Sequence, residues 1–301
     1  MVTVPKRSAA VALGVLTDLA LGDPPTRWHP VGWFGTAMTA TERRLYRTDR
    51  RAGAAHAAAG VCLGIAAARL CPSVTAATAA CTAGRGLRRS ADLVAGRLEA
   101  RDLDGARSLL PALAGRDPSG LDAGELSRAV VESVAENTVD AIVAPVWWAL
   151  VGGARGVFVH RALNTMDAMV GHRSERYLDY GWASARLDDA AAWLPARLTA
   201  ALVTAVRPAA ARAVVTAVRE QAPAHPSPNA GVAEAAYAAA LGIRLGGTNV
   251  YAGNVDHRPI LGTGRCPEPG DIRRATALCR DITLALMGSL GAVAAVDRVR
   301  R

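Results

Sequence analysis

Lysine is almost missing from this chain. Lys6 is the only one among 301 residues, although the formal net charge is +9. A phosphate-binding loop of the GxxxxGK[ST] type carries its lysine inside the loop, so that route to nucleotide chemistry is excluded. No GxSxG elbow and no HExxH zinc pair occurs either, and any nucleotide chemistry here uses an unconventional site. Cysteine is sparse: Cys62, Cys71, Cys81, Cys266 and Cys279 form no CxxC pair, and three of them lie in apolar segments, which predicts buried, reduced thiols. Zinc-finger spacing and a basic tail are absent, so nucleic acid is not expected as a partner. Strand signals are thin, with no alternating runs and no Asn-Gly hairpins, and the expected class is all-α. Aromatic residues make up only 4% of the chain, and the mean hydropathy is +0.16. Those values exclude a wholly membrane-buried transporter and suit a helical membrane protein with sizeable aqueous parts. No cleavable leader is expected, because "SAAVALGVLTDLALG" contains Asp18 and runs into "DPP".

The hydrophobic share, 51%, is largely alanine and is arranged in blocks. Residues 8–22 read as a helix that the three prolines of "GDPPTRWHPVG" end. Residues 54–84 are too long for one soluble helix, and Pro72 divides them into a hairpin of two short helices. Residues 85–130 are amphipathic and charged. They read as a cytoplasmic helical insert in a single membrane-embedded domain, with Leu87, Leu93, Val94, Leu98 and Leu103 as its apolar stripe and Asp122 or Ser119 as a later cap. Further apolar segments lie at 141–163, 190–206 and 282–296. Only the first reaches the roughly 20 residues of a span, and Pro145, Gly152, Gly153 and Arg155 interrupt it. Arginine clusters at 43–51, 85–89 and 298–301 flank apolar segments, as cytoplasmic flanks do.

Three polar clusters carry the chemistry. In "ESVAENTVD" the carboxylates of Glu132, Glu136 and Asp140 recur at i, i+4 and i+8 and would stack on one helix face. Such a row needs counter-charge, and Arg128, four residues before Glu132, is one source. An exposed, salt-bridged face explains the spacing equally well. The adjoining apolar run favours a polar cavity or a bound ion. In the second cluster Asn164 and Asp167 share a face and Gly171 ends their helix. "HRSERYLDYGWASARLDD" then brings Arg173, Arg176, Arg186, Asp188 and Asp189 together with Tyr177, Tyr180 and Trp182. Arginine forks suit phosphate and paired aspartates suit magnesium, although a solvated loop has the same composition. The third is "HPSPNAGVAEAAYAAALGIRLGGTNVYAGN". There Asn229 would cap the helix that holds Glu234, and Gly246-Gly247-Thr248-Asn249 would form a flexible turn whose N–H groups cradle an anion.

Four long blocks, "LGDPPTRWHPVGWFG", "ESVAENTVDAIVAP", "RALNTMDAMVGHRSERYLDYGWASARLDDAAAWLPARLTA" and "HPSPNAGVAEAAYAAALGIRLGGTNVYAG", closely resemble the adenosylcobinamide-phosphate synthase family (CobD/CbiB) of cobalamin biosynthesis. The resemblance implies a multi-pass enzyme of the bacterial inner membrane that joins adenosylcobyric acid to (R)-1-aminopropan-2-ol or its O-phosphate. Its partners would be that corrinoid, the amine and the bilayer, with other late cobalamin-pathway membrane enzymes alongside, and its active site would be cytoplasmic. ATP would drive the amide bond with Mg2+, since forming an amide from a free carboxylate is uphill in water. By residue type, Glu132, Glu136, Asp140 and Asp167 are expected in catalysis. Glu136, Asp140, Asp188 and Asp189 are expected on the metal. Asn137, Asn164, Arg173, Arg176, Trp182, Arg186, Asn229, Gly246, Gly247 and Asn249 are expected on substrate and phosphate. The rival reading is a polytopic transporter or channel-like subunit that uses the same polar residues as a pathway.

Overall fold

The computed structural model describes residues 4–24, 29–172, 174–251 and 254–299; Arg27, Trp28 and the expected phosphate ligand Arg173 lie outside them. The chain is all-α apart from one hairpin. In order it forms α1 (Val4–Leu21), α2 (Pro30–Leu45), α3 (Arg50–Leu70), α4 (Val74–Cys81), α5 (Gly84–Glu99), α6 (Leu103–Leu109), α7 (Ala123–Thr138), a π-turn at Val139–Val143, α8 (Ala144–Val170), α9 (Trp182–Val206), α10 (Ala211–Glu220), α11 (Ala230–Leu241), β1 (Leu245–Tyr251), β2 (Asn254–Leu261) and α12 (Pro269–Val299). It divides into two compact units, one of Met1–Ala83, Asp140–Trp193 and Met287–Arg301 and one of Gly84–Val139 and Leu194–Leu286.

In the first unit α3 packs along α8, α1 on α4 and α8, and α2 on α3 and α8. Asp49 starts α3 by accepting from the Ala52 N–H at 2.9 Å, and Pro72 falls between α3 and α4, as the divided hairpin requires. Gly60 lets α3 approach α8 closely, since a Cβ there would sit 2.2 Å from the Met166 sulfur. Met38, Leu163, Met166 and Ala191 form a core that Phe34, Val61 and Trp148 cover, and the Trp148 indole N–H reaches the Ala191 carbonyl at 3.0 Å. Inside α8, Gly153 adopts φ 63° and ψ −151°, a conformation almost confined to glycine. The break frees carbonyls, and Arg7 donates to those of Leu150 (3.0 Å) and Val151.

In the second unit α5 packs on α6 and α7, α11 on α7, α10 and the hairpin, and β1 on α7. Asp122 caps α7 in a reciprocal pair with Glu125, so of the two expected caps it is Asp122 that serves. The buried face of α5 is Leu87, Ala91, Val94, Ala95 and Leu98. Leu93, expected in that stripe, is 52% exposed, because it lies about 100° round the helix from Val94. Residues 84–139 group with 194–286 in this unit.

The hairpin was not expected. β1 and β2 pair antiparallel with a register irregularity between Leu245 and Gly247. Gly246-Gly247 and Pro259 look like breakers, yet they serve here as a bulge and a strand position. Among the described residues three stretches are long and apolar enough to cross a membrane, Arg50–Leu70, Ala123–Val170 and Pro269–Val296, or four if Trp182–Val206 and Pro208–Ala224, bent by 111°, count as one. The 282–296 segment is therefore the end of a far longer helix, and 190–206 the end of α9, just before that bend. Cys81 and Cys279 are buried as expected, Cys71 is half-buried, and Cys62 and Cys266 are exposed.

Candidate active site

Glu132 sits in the middle of α7 at 4% exposure, and a carboxylate so placed needs compensation on every lone pair. It has it. Oε1 accepts from the Gly246 backbone N–H at 2.7 Å and from Arg128 Nη1 at 3.5 Å, and Oε2 accepts from Arg116 Nη2. Arg128 spends the rest of its fork on β1, donating to the Gly246 carbonyl (2.7 Å), the Asn249 side-chain oxygen (2.8 Å) and the Thr248 carbonyl (2.9 Å). The Gly-Gly segment is thus a bulged strand and not a flexible turn, because its groups are fixed by α7. The anion its N–H cradles is the chain's own carboxylate. Gly246 holds φ 84°, and a Cβ there would lie 2.0 Å from the Pro259 carbonyl oxygen, so only glycine fits.

One turn along α7, Glu136 is exposed. Facing it electrostatically is Glu234 of α11, 3% exposed. Burial pushes the Glu234 carboxyl well above the usual carboxylate range; the charges of Glu132 and Glu136 push the same way, against Arg258 and Arg116. His225 Nε2 lies 3.8 Å from the Glu234 carboxyl and 3.1 Å from Arg258 Nη1. A guanidinium can only donate, so Nε2 accepts from Arg258, while Nδ1 lies 3.1 Å from both the Ser227 carbonyl oxygen and the Ser227 backbone nitrogen. Burial holds the His225 pKa below its ordinary value; the Ser227 carbonyl raises it and Arg258 lowers it further. Arg258 is itself braced by Asp256 at 2.9 Å. Asn249 is 2% exposed, and its Nδ2 is buried without a hydrogen-bond partner among the described residues. Asn229 does not cap α11 through its side chain; its oxygen accepts from Arg197 at 3.0 Å, and the Ser227 hydroxyl takes the N–H groups of Asn229 (3.3 Å) and Ala230 (3.2 Å) instead.

The first unit holds most of the remaining expected residues. Asp140 is the second residue of the π-turn, which inserts a residue into the helical repeat and ends the i, i+4, i+8 row after Glu136. It joins a separate chain of contacts, Arg161 Nη1 to Asn164 Oδ1 at 3.1 Å and Asn164 Nδ2 to Asp140 Oδ2 at 3.0 Å. Arg176 pairs with Glu42 at 3.0 Å and lies 4.0 Å over the Tyr46 ring, while the Tyr177 hydroxyl donates to the same Glu42 oxygen at 2.9 Å. Arg50 covers Trp182. Arg186 is exposed, Asp167 and Asp189 are half-buried, and Asp188 is buried. In the second unit Gly247 is half-buried on β1, and Asn137 spends its Nδ2 on Ser133 of its own helix at 2.9 Å. Among the described residues no group of three or more His, Cys, Asp or Glu could hold a metal. Of the four carboxylates expected on a metal, Glu136 belongs to the second unit and Asp140, Asp188 and Asp189 to the first.

Residues 11–279 match the family described as CobD/Cbib protein. The chain belongs to the CobD/CbiB family. It is 47% identical over 288 residues to a protein of Mycobacterium tuberculosis strain CDC 1551 named "Cobalamin biosynthesis protein CobD", covering 91% of both chains. A Rhodobacter capsulatus protein of the same name is 40% identical over 304 residues, covering 94% of this chain and 96% of its own. One from Geobacter metallireducens is 41% identical over 275 residues, covering 84% and 86%. No solved structure matches. For this CobD/CbiB chain, the residues that complete the second-unit cluster were missed as site members: Arg116, His225, Glu234 and Arg258, along with Glu42 in the first unit. Only His225 and Glu234 carried a usable signal, since a histidine and a carboxylate beside an otherwise apolar alanine helix are costly to bury unpaired.

Proposed function

We propose that the chain is an ATP-dependent ligase of the bacterial inner membrane. It would join the carboxylate of adenosylcobyric acid to the amine of (R)-1-aminopropan-2-ol or its O-phosphate from the cytoplasmic side. The observation that supports this reading is the convergence of Glu132, Glu136 and Glu234 with Arg116, Arg128, Arg258 and the open amide of Asn249. ATP with Mg2+, when bound, would supply the phosphoryl group that turns a carboxylate oxygen into a leaving group. Magnesium keeps several waters and takes only one or two protein carboxylates beside phosphate oxygens, so Glu136, exposed and with no side-chain hydrogen bond among the described residues, suits one of those positions. Glu136 is also the group able to take a proton from the attacking amine. Arg258 and Arg116 balance negative charge as it develops on phosphoryl oxygens. Asn249 Nδ2 donates to a substrate oxygen. Glu132, with both oxygens engaged, is a positioning residue: it holds α7, Arg116 and β1 in register.

The test is ATP-dependent product formation by membranes that carry the chain, supplied with the corrinoid acid and each amine in turn. Glu136→Gln is expected to lower kcat by about 100-fold or more, the lower range for a lost acid–base group, at unchanged protein level. A wild-type rate in that variant overturns the role of Glu136, and no turnover by the unaltered protein overturns the function.

A further inference from the structure

We propose that a cavity at the start of α3, apart from the site above, binds the phosphate of an anionic phospholipid headgroup. The cavity measures about 740 Å³ and is lined by Arg44, Arg47, Arg50 and Arg51, with Asp49 as its single acid. Asp49 is occupied, since its carboxylate accepts from the Ala52 N–H. Arg50 is held to Asp179 at 3.0 Å and lies over the Trp182 ring. Arg44, Arg47 and Arg51 are exposed on the protein, and their guanidinium groups make no hydrogen bond or ion pair within the described residues. Three unspent guanidinium groups around one concavity lack a counter-anion, and phosphate matches their forked donors.

The position says which phosphate. Arg50 is the first residue of a 21-residue helix apolar enough to cross a membrane, so the cavity stands where that helix would leave the hydrocarbon for the headgroup layer. Trp182, 43% exposed, supplies the amphipathic ring found at that depth. On α3 itself Leu63 is 41% exposed, which leaves apolar surface for acyl chains. Basic pockets beside spans hold anionic headgroups by this combination.

The full-length protein in neutral detergent is titrated with phosphatidylglycerol, phosphatidylcholine, ATP and inorganic phosphate, and bound species are counted by native mass spectrometry. Phosphatidylglycerol is expected to bind at least about ten-fold more tightly than phosphatidylcholine. The triple variant Arg44→Gln, Arg47→Gln, Arg51→Gln is expected to reduce that preference to within two-fold while keeping the wild-type unfolding midpoint. Equal binding of the two lipids by the wild type overturns the proposal. So does a preference that survives the triple variant, and so does loss of ATP or phosphate binding in its place. Should the triple variant not fold, each single variant is compared, and a wild-type preference that high salt fails to weaken overturns the proposal alone. The readout is lipid binding, so it is independent of whether the ligase reaction is found.

Discussion

Arg128 donates to the side-chain oxygen of Asn249 at 2.8 Å, and the nitrogen of that amide is buried without a hydrogen-bond partner among the described residues. A buried donor without an acceptor costs about 1–3 kcal/mol. A side chain kept at that cost beside Arg128 suits a ligand oxygen. Asn249→Asp keeps the acceptor for Arg128 and strengthens it with charge, but removes the donor. The variant is expected to unfold at the same temperature as the wild type or higher, with KM for the corrinoid acid raised about ten-fold, the worth of one hydrogen bond. An unchanged KM removes the substrate contact.

Glu132 is the anchor for two arginines and one strand. Replacing it with alanine leaves Arg116 buried without its carboxylate, and removing one partner of a buried ion pair costs about 3–5 kcal/mol. Glu132→Ala is expected to unfold well below the wild type in detergent, whereas Glu136→Gln, at an exposed position, is expected to melt within a degree or two of it. Equal midpoints for both variants would contradict the division between a positioning and a reacting carboxylate.

His225 sets a pH dependence with a definite sign. Its folded pKa lies below the ordinary 6.5, so between the two values the unfolded chain binds more protons. Its contribution is complete above about pH 6.5 and is lost as pH falls toward the folded value. Glu234 runs the other way: its raised folded pKa means that stability is lost as pH climbs above the ordinary 4.5. His225→Gln removes only the first limb. The wild type is expected to lose stability relative to this variant on acidification below pH 6.5, and a difference in melting temperature that stays flat with pH would contradict a buried neutral imidazole.

The break in α8 depends on a residue from the start of the chain. Arg7→Ala withdraws the donor from the Leu150 and Val151 carbonyls and is expected to cost about 1–3 kcal/mol. Gly153→Ala forces a side chain into φ 63°, ψ −151° at a similar cost. If the two variants melt like the wild type, the break is not held in the way described.

The helices, the Pro72 division, the Asp122 cap and the Arg128–Glu132 pair were legible because each is a local rule, a breaker, a cap or an i, i+4 spacing. The rest of the site was not. Arg116 comes from an irregular loop, Gly246 from a strand built on glycines, and Arg258 from its partner strand, none at a periodic distance from Glu132. The π-turn was equally hidden, since "VDAIV" reads as ordinary helix while the extra residue ends the carboxylate row. Periodicity names the face a residue occupies; it is silent on what arrives to meet that face from far along the chain.

That long reach has a consequence for biosynthesis. Glu132 leaves the ribosome 114 residues ahead of Gly246, an interval of about 6–23 seconds at ordinary elongation rates. Throughout it the nascent segment holds an acidic group, destined for a dry interior, before the strand that will seal it exists. Translation must therefore run past the hairpin before this half of the molecule can close, and the arginines already emerged keep the carboxylate company until then.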